Sequence, residues 1–405
     1  MTAVMEGVRI LEVAEHTFVP AASALLADWG AEVIKIEHVE RGDAMRGLAS
    51  SGLAIFGGGV HVLLEHSNRG KQSLGLDLTT PQGLDILYKL AATSDVFLTN
   101  KLPQVRTKLK IDVDDIRAHN SEIIYARGTG QGERGPDAQH GSYDSLGYWA
   151  RSGVAMGVKR PDYDYVPAPP APAFGDSIGA MTIAGGIMGA LYHRERTGKG
   201  TVVDVSLLGV GMWSMGAALA LSLQLQRGWT APPAGGFSGN PLTNTYQTRD
   251  GRFIAMTCLQ PTRYWAEACE VLGIPELATD ERFAATGGTG EHAQAASEAV
   301  RDAFLTRTGE EWLEALASFS GQWALVQDSL EVTTDPQAVA NGYVQECHTK
   351  EGVAFGLAAA PVQYDEHPAQ PKRAPEFNEH GDALLESIGL DMDQILELKV
   401  QGVVA

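Results

Sequence analysis

Cysteine is scarce in this chain. Three occur in 405 residues, Cys258, Cys269 and Cys347, at spacings that fit neither a disulfide framework nor a zinc site, so they read as ordinary reduced thiols. Positive charge is also in short supply. The 31 Lys and Arg against 50 Asp and Glu leave a formal net charge of −19. That balance argues against nucleic-acid or anionic-membrane binding and obliges any polyanionic ligand to find a local basic pocket. The N-terminal MTAVMEGVRILEV lacks a basic segment leading into an apolar stretch and is interrupted by Glu6, Arg9 and Glu12. It does not read as a secretory leader, and the expected location is the cytoplasm. Walker and HExxH strings are missing, which removes the usual signals of phosphoryl transfer and zincin chemistry. The eleven histidines are scattered, none at metal-ligand spacing on an evident helix, and no metal is expected. One charge-free run, Val205 to Gln226, is long enough to span a bilayer. Glycine, serine, alanine and glutamine dilute it and no basic cluster flanks it, so it is expected to be a buried core helix, with no membrane partner.

What the chain does contain is alternation. RILEVAE is a short apolar run, AASALLADWG a helix closed by glycine, and AEVIKIE a strand; SLGLDL, TPQGLDILYKLAATS, DVFLTN, VDDIRAHN and EIIYARG continue the pattern. This is the signature of an α/β fold with parallel βα units and ligand loops at the strand ends. A proline-rich loop, Arg160 to Phe174, delivers the chain to Gly175 and Asp176, and a helix of small residues follows. Glycine and proline are dense again from Gly228 to Asn244, the expected hinge into a second lobe with a hairpin turning at Asp250-Gly251. The expected domains are 1–227 with 336–405, and an α+β domain over 228–335.

Three features could carry chemistry. Gly130, Gly132 and Gly135 spell GxGxxG after a strand, but Pro136 and turn residues follow where a dinucleotide site needs a helix N-terminus, so a glycine-rich active-site loop is the better reading. Arg41, Arg46, Arg69, Lys71, Lys101, Arg106, Lys108 and Lys110 gather in the first domain, several directly after strands, where phosphates of a nucleotide-like ligand would sit. Asp176 has two readings. It is a helix N-cap, or it is a carboxylate nucleophile at a helix start.

The segments LLADWGAEVIKIE with GDAMRG, NRGKQSLGLDLTTPQG, GDSIGAM with GALYHRERTGKGTVVDVSLL, DGRFIAM with LGIPELATDERF, TDPQAVANGYV and EHGDALLESIGL together resemble the class III CoA-transferases of the CaiB/BaiF type. The likeness runs over nearly the whole chain. It implies a Rossmann-like large domain built from both chain ends, a smaller inserted domain, and a homodimer of two interlocked rings. It also implies that Asp176 attacks an acyl-CoA thioester to give an aspartyl anhydride and then an aspartyl-CoA thioester, with a carboxylic acid as acceptor. Coenzyme A enters as substrate and product. The resemblance carries His16, Thr17, Asn68, Lys71, Asn100 and Lys108 over as CoA contacts, and Tyr143 and Asp144 as the pair bordering the active site. The anhydrides must be kept from water, a job for a closing glycine loop, and Gly235, Gly236 and Gly239 are the candidates for it.

The sequence departs from the family pattern in places. Phe18-Val19 replaces a small turn before Pro20, Lys101-Leu102-Pro103-Gln104 replaces an aromatic-basic-Pro-Gly loop, and Ser142 replaces a frequent glycine. An acyl-CoA racemase is the alternative function within the resemblance. Its histidine falls at Tyr143, a phenol poorly matched to that base, although His140 lies three residues away.

Overall fold

The computed structural model describes residues 3–51, 59–232 and 238–405, with side chains of 49–51 left aside. Two compact units result. The larger comprises Met1–Lys159, Tyr165–Thr230 and Gln337–Ala405, and the smaller Arg160–Asp164 with Ala231–Pro336.

The larger unit is organised by a six-stranded sheet: β1 (Arg9–Val13), β2 (Glu32–His38), β3 (Gln72–Leu76), β4 (Val96–Thr99), β5 (Ile124–Thr129) and β6 (Val202–Ser206). All neighbours pair parallel, in the order β3-β2-β1-β4-β5-β6. The strands read as continuous apolar runs because both faces are covered. Successive residues point to opposite sides, so Ile10, Val33, Val96 and Ile124 join one core and Leu11, Ile34, Phe97 and Tyr125 join another.

The first core is closed by α1 (Phe18–Asp28) and by α7 (Phe174–Thr197), which bury Leu26, Ile183 and Ile187. Between them in sequence stand α2 (Val62–Asn68), α3 (Pro81–Ala92), α4 (Pro103–Leu109), α5 (Val113–Arg117) and α6 (Val154–Val158). Helix α3 closes the second core with Leu87 and Leu90, joined there by the tail of the chain.

The run from Val205 to Gln226 departs from the expected single buried helix. Strand β6 takes its first two residues, and the remainder forms α8 (Leu207–Ser214) and α9 (Gly216–Leu225), bent 73° from each other. Helix α9 buries none of its residues. Small residues at the bend let the chain turn away from the core it was expected to fill.

The smaller unit holds an antiparallel sheet of β7 (Thr243–Gln247), β8 (Phe253–Thr257) and β9 (Trp323–Leu325), with α10 (Pro261–Leu272), α11 (Ala293–Phe304) and α12 (Gly309–Leu316). Strands β7 and β8 form a hairpin, and Gly251 takes the φ of +83° that its turn requires. Trp265, Phe304 and Trp312 fill the core beneath. Of the three candidate loop glycines, Gly239 has a left-handed φ of +84°, while Gly235 and Gly236 lie outside the described residues.

After α13 (Pro336–Ala340) the chain rejoins the larger unit through the ribbon β10 (Val344–His348) and β11 (Ala354–Ala358), then α14 (Gly381–Ser387) and α15 (Met392–Val400). Leu385, Ile395 and Val404 complete the second core, and Val404 bridges to Leu76 of β3.

Candidate active site

The strand order reverses between β1 and β4. Such a switch point is the usual ligand position in a parallel sheet. Asn100, just past β4, holds the loop after β1. Its Oδ1 accepts from the Glu15 N–H at 3.2 Å and its Nδ2 donates to the Glu15 carbonyl at 2.7 Å. Lys101 adds an ion pair to the Glu15 carboxylate. His16 is thereby held at a φ of +68°, a left-handed conformation rare outside glycine, with its N–H on Asp43 Oδ1 at 3.0 Å. Thr17 is buried and precedes the first turn of α1.

The loop after β5 approaches from the other side. Its glycine string opens no helix. Gly132 and Gly135 turn the chain with φ of +105° and +101°, and Glu133 between them is gripped by Arg106, at 3.0 and 2.7 Å, and by Arg127 at 3.2 Å. The loop ends in Tyr143, whose ring meets the His16 imidazole edge-on with centroids 5.5 Å apart. Next, Asp144 accepts from the Gly175 amide at 3.0 Å and from that of Phe174.

These contacts decide the role of Asp176. Helix α7 begins after Ala173, which has a φ of +56° and makes no side-chain cap bond. Asp176 is therefore the third helical residue, not the cap. The capping work falls to Asp144, from a different part of the chain, satisfying amides that a helix start leaves orphaned. Gly175 permits this, because a Cβ there would overlap the Tyr148 ring and Asp144 Oδ1. Among the described residues, nothing donates a hydrogen bond to the Asp176 carboxylate. Burial, and then the neighbouring charge of Asp144, pushes it up to about 7.

His16, Thr17, Asn100, Tyr143, Asp144 and Asp176 thus converge at one end of the sheet. Asn68 and Lys71 do not join them. Both are buried, and Lys71 Nζ is surrounded by Glu12 Oε2 at 2.9 Å, the Pro20 carbonyl at 2.8 Å and Asn68 Oδ1 at 3.1 Å. Glu12 also takes Lys35 at 2.7 Å, and Lys35 takes Asp43 at 2.8 Å. Burial alone would raise the Glu12 carboxyl, but the two lysines override it and hold it below the ordinary range. Lys71 therefore ties α2 and β3 to β1, and Asn68 Oδ1 helps hold it there, while Asn68 Nδ2 is buried without a partner among the described residues.

The basic cluster is similarly depleted. Arg46 pairs with Glu37, Arg69 with Asp28, Arg106 with Glu133, and exposed Arg41 reaches Glu15 at 3.8 Å. Lys108 and Lys110 are exposed and, among the described residues, have no ion-pair partner. His140, the imidazole a racemase would need, is 73% exposed and tied to Asp137 at 3.2 Å. Nothing here favours racemase chemistry.

The bulk of Phe18 and Val19 is accommodated by residues without side chains. A Cβ at Gly128 of β5 would overlap both, and one at Gly179 of α7 would overlap Phe18. Sequence reading missed His66, whose Nε2 lies 3.3 Å from Oγ of Ser177, the residue after Asp176. Its partner is 111 positions away, and no spacing rule links them.

Fold and site together define an α/β protein with an acidic centre at the switch point of a parallel sheet. The family model described as "CoA-transferase family III" matches residues 5–381, and the chain belongs to that family. It is an enzyme of the class III CoA-transferases. It is 29% identical to the (R)-2-hydroxy-4-methylpentanoate CoA-transferase of Clostridioides difficile, over 99% of both chains. It is 28% identical to the cinnamoyl-CoA:phenyllactate CoA-transferase of Clostridium sporogenes, over 98% of this chain and 96% of that one. A crystal structure of a CaiB/BaiF family protein from Brucella suis matches with a TM-score of 0.80 at 25% identity, covering 96% of this chain and all of that one.

Proposed function

We propose that the chain moves CoA from an acyl-CoA donor to a carboxylic acid acceptor, with the Asp176 carboxylate as nucleophile. Attack on the thioester carbonyl breaks the C–S bond, releasing CoA thiolate and leaving a mixed anhydride on Asp176. The thiolate returns to the aspartyl carbonyl, expels the first acid, and makes an aspartyl-CoA thioester. The acceptor carboxylate attacks that thioester, and the thiolate finally takes the acceptor's acyl group from the second anhydride, restoring Asp176.

One observation carries the reading: among the described residues nothing donates a hydrogen bond to Asp176 at the start of α7, and burial pushes its carboxyl up to about 7. A desolvated carboxylate of raised basicity is a better nucleophile than a solvated one, and it is still substantially ionised at neutral pH. His16, Thr17, Tyr143 and Asn100 are proposed to border the thioester end, and exposed Lys108 to meet a CoA phosphate as a point charge. Asn68 and Lys71 act indirectly, by holding β1, α2 and β3 in place. The location is proposed to be the cytoplasm, where three buried, unpaired cysteines remain reduced. The working unit is proposed to be a homodimer, because α9 buries nothing within its own chain and Trp213 of α8 is 86% exposed.

The test is covalent capture. After incubation with acetyl-, succinyl- or cinnamoyl-CoA, borohydride or hydroxylamine should modify Asp176, read by peptide mass spectrometry. Asp176→Ala should show neither capture nor CoA exchange; persistence of exchange in that variant would end the reading. A wider panel of acyl-CoAs and acids, scored for exchange, would then define the substrates.

A further inference from the structure

His66 of α2 has no part in the chemistry above, yet it reaches the turn that carries Asp176. Its Nε2 lies 3.3 Å from Ser177 Oγ, and that hydroxyl lies 3.0 Å from the Ala173 carbonyl. A serine hydroxyl has one hydrogen. Directed at Ala173, it leaves the oxygen to accept, so His66 Nε2 carries a proton and donates. Burial, reinforced by the Arg69 guanidinium, pushes the imidazole down to about 4. The ring is neutral at pH 7, and with the hydroxyl directed at Ala173 its single N–H is assigned to the nitrogen that faces Ser177.

The far end of this relay is a strained residue. Ala173 has a left-handed φ of +56° and no side-chain cap of its own, a conformation that costs an alanine about 1–2 kcal/mol unless its surroundings impose it. Two groups remote in sequence impose it: Asp144 on the Phe174 and Gly175 amides, and His66, through Ser177, on the Ala173 carbonyl. Asp176 lies between these attachments.

We propose that His66 is a positioning residue: its N–H, relayed by the Ser177 hydroxyl, fixes the first turn of α7 and aims the Asp176 carboxylate at the thioester carbonyl. The inference rests on Asp176 being the nucleophile. A nucleophile held loosely loses rate steeply, because displacement of about 1 Å is enough to cost on the order of a hundredfold. CoA binding, which depends on other loops, is left intact.

The experiment measures single-turnover acylation of Asp176 by acetyl-, succinyl- and cinnamoyl-CoA, beside the Kd for CoA and the Tm. Wild type and Asp176→Ala come first. Capture in the former and none in the latter secures the nucleophile; no capture in wild type removes both that reading and this one. His66→Ala and Ser177→Ala are each expected to slow acylation about tenfold or more, with Kd for CoA within about twofold of wild type. The double variant should be no slower than the worse single one, since both break one relay. His66→Gln, which retains an N–H donor, should recover most of the rate. Ser177→Ala is the check on folding, because it removes one oxygen. If it melts as wild type does and acylates at the wild-type rate, or if the two losses multiply, the relay is overturned. A loss confined to Kd for CoA would overturn it equally.

Discussion

Asp144 Oδ1 accepts a hydrogen bond from the Gly175 amide at 3.0 Å, so a residue from the loop after β5 caps the helix whose third residue is Asp176. The Asp144 charge also disfavours ionisation of Asp176, after the larger effect of burial. The residue that caps the helix therefore also contributes to the raised Asp176 carboxyl.

The first consequence is in the pH profile. Asp176 must be ionised to attack, so kcat/KM should rise with pH through a midpoint about 7. Asp144→Asn keeps an oxygen for the Gly175 amide and removes the neighbouring negative charge. Its midpoint should move to lower pH, while Asp144→Ala, losing the cap as well, should also melt earlier by about 1 kcal/mol. An unmoved midpoint in Asp144→Asn would disconnect the pair.

Stability should carry the same signature with the opposite sense. The folded state raises the Asp176 carboxyl from 3.8 to about 7, so between these values the native protein holds a proton that the unfolded chain has released. Stability from this group is complete below about pH 4 and is lost as pH rises toward 7. Asp176→Asn, uncharged throughout, should be more stable than wild type at pH 8 by roughly 2–3 kcal/mol, after allowance for the water the side chain still meets. The two should converge at pH 3.5 in thermal melts.

Gly175→Ala tests the close approach directly. The added methyl must displace the Tyr148 ring or Asp144, at a cost of about 1–3 kcal/mol. Activity should fall with it. An active variant of unchanged Tm would show that the turn has room to spare.

Two lysines joined by the same family resemblance should behave differently. Lys71→Met leaves buried Glu12 with Lys35 but takes the donor from the Pro20 carbonyl and Asn68 Oδ1 and should destabilise by about 1–3 kcal/mol. Lys108→Ala, on the exposed face of α4, should leave stability within about 0.5 kcal/mol and weaken CoA binding. Denaturant titration and a CoA binding isotherm separate them.

The bare apolar helix offers a test of assembly. Leu223 of α9 is 73% exposed, and Leu223→Glu should prevent a dimer from forming, as read by sedimentation. Interlocked rings would also resist dilution, so the wild-type dimer should persist at concentrations where an ordinary interface separates. Monomers in undiluted wild type would remove the proposal.

Much of this was legible in residue order. Apolar strands alternating with helices foretold a parallel sheet, and Pro136 after the glycine string foretold that no helix opens there. The turn at Asp250-Gly251 was readable because a left-handed glycine is a local requirement. The Val205–Gln226 run misled because hydropathy does not reveal a bend, and α9 has no core within its own chain to enter. The basic cluster misled for a related reason. Charge can be counted along a chain, but whether an arginine faces solvent or a glutamate depends on which strand lies beside it.

Sequence by itself determined the βα alternation, the family, and a Gly-Asp pair at the head of a small-residue helix, since these depend on local periodicity and on motifs in line. Tertiary structure alone decided that Asp176 is not its own helix cap, that Lys71 is buried among protein acceptors, and that His66 meets Ser177. Each of those depends on groups separated by tens to hundreds of residues, and a burial or a hydrogen bond exists only once folding has brought both partners to the same place.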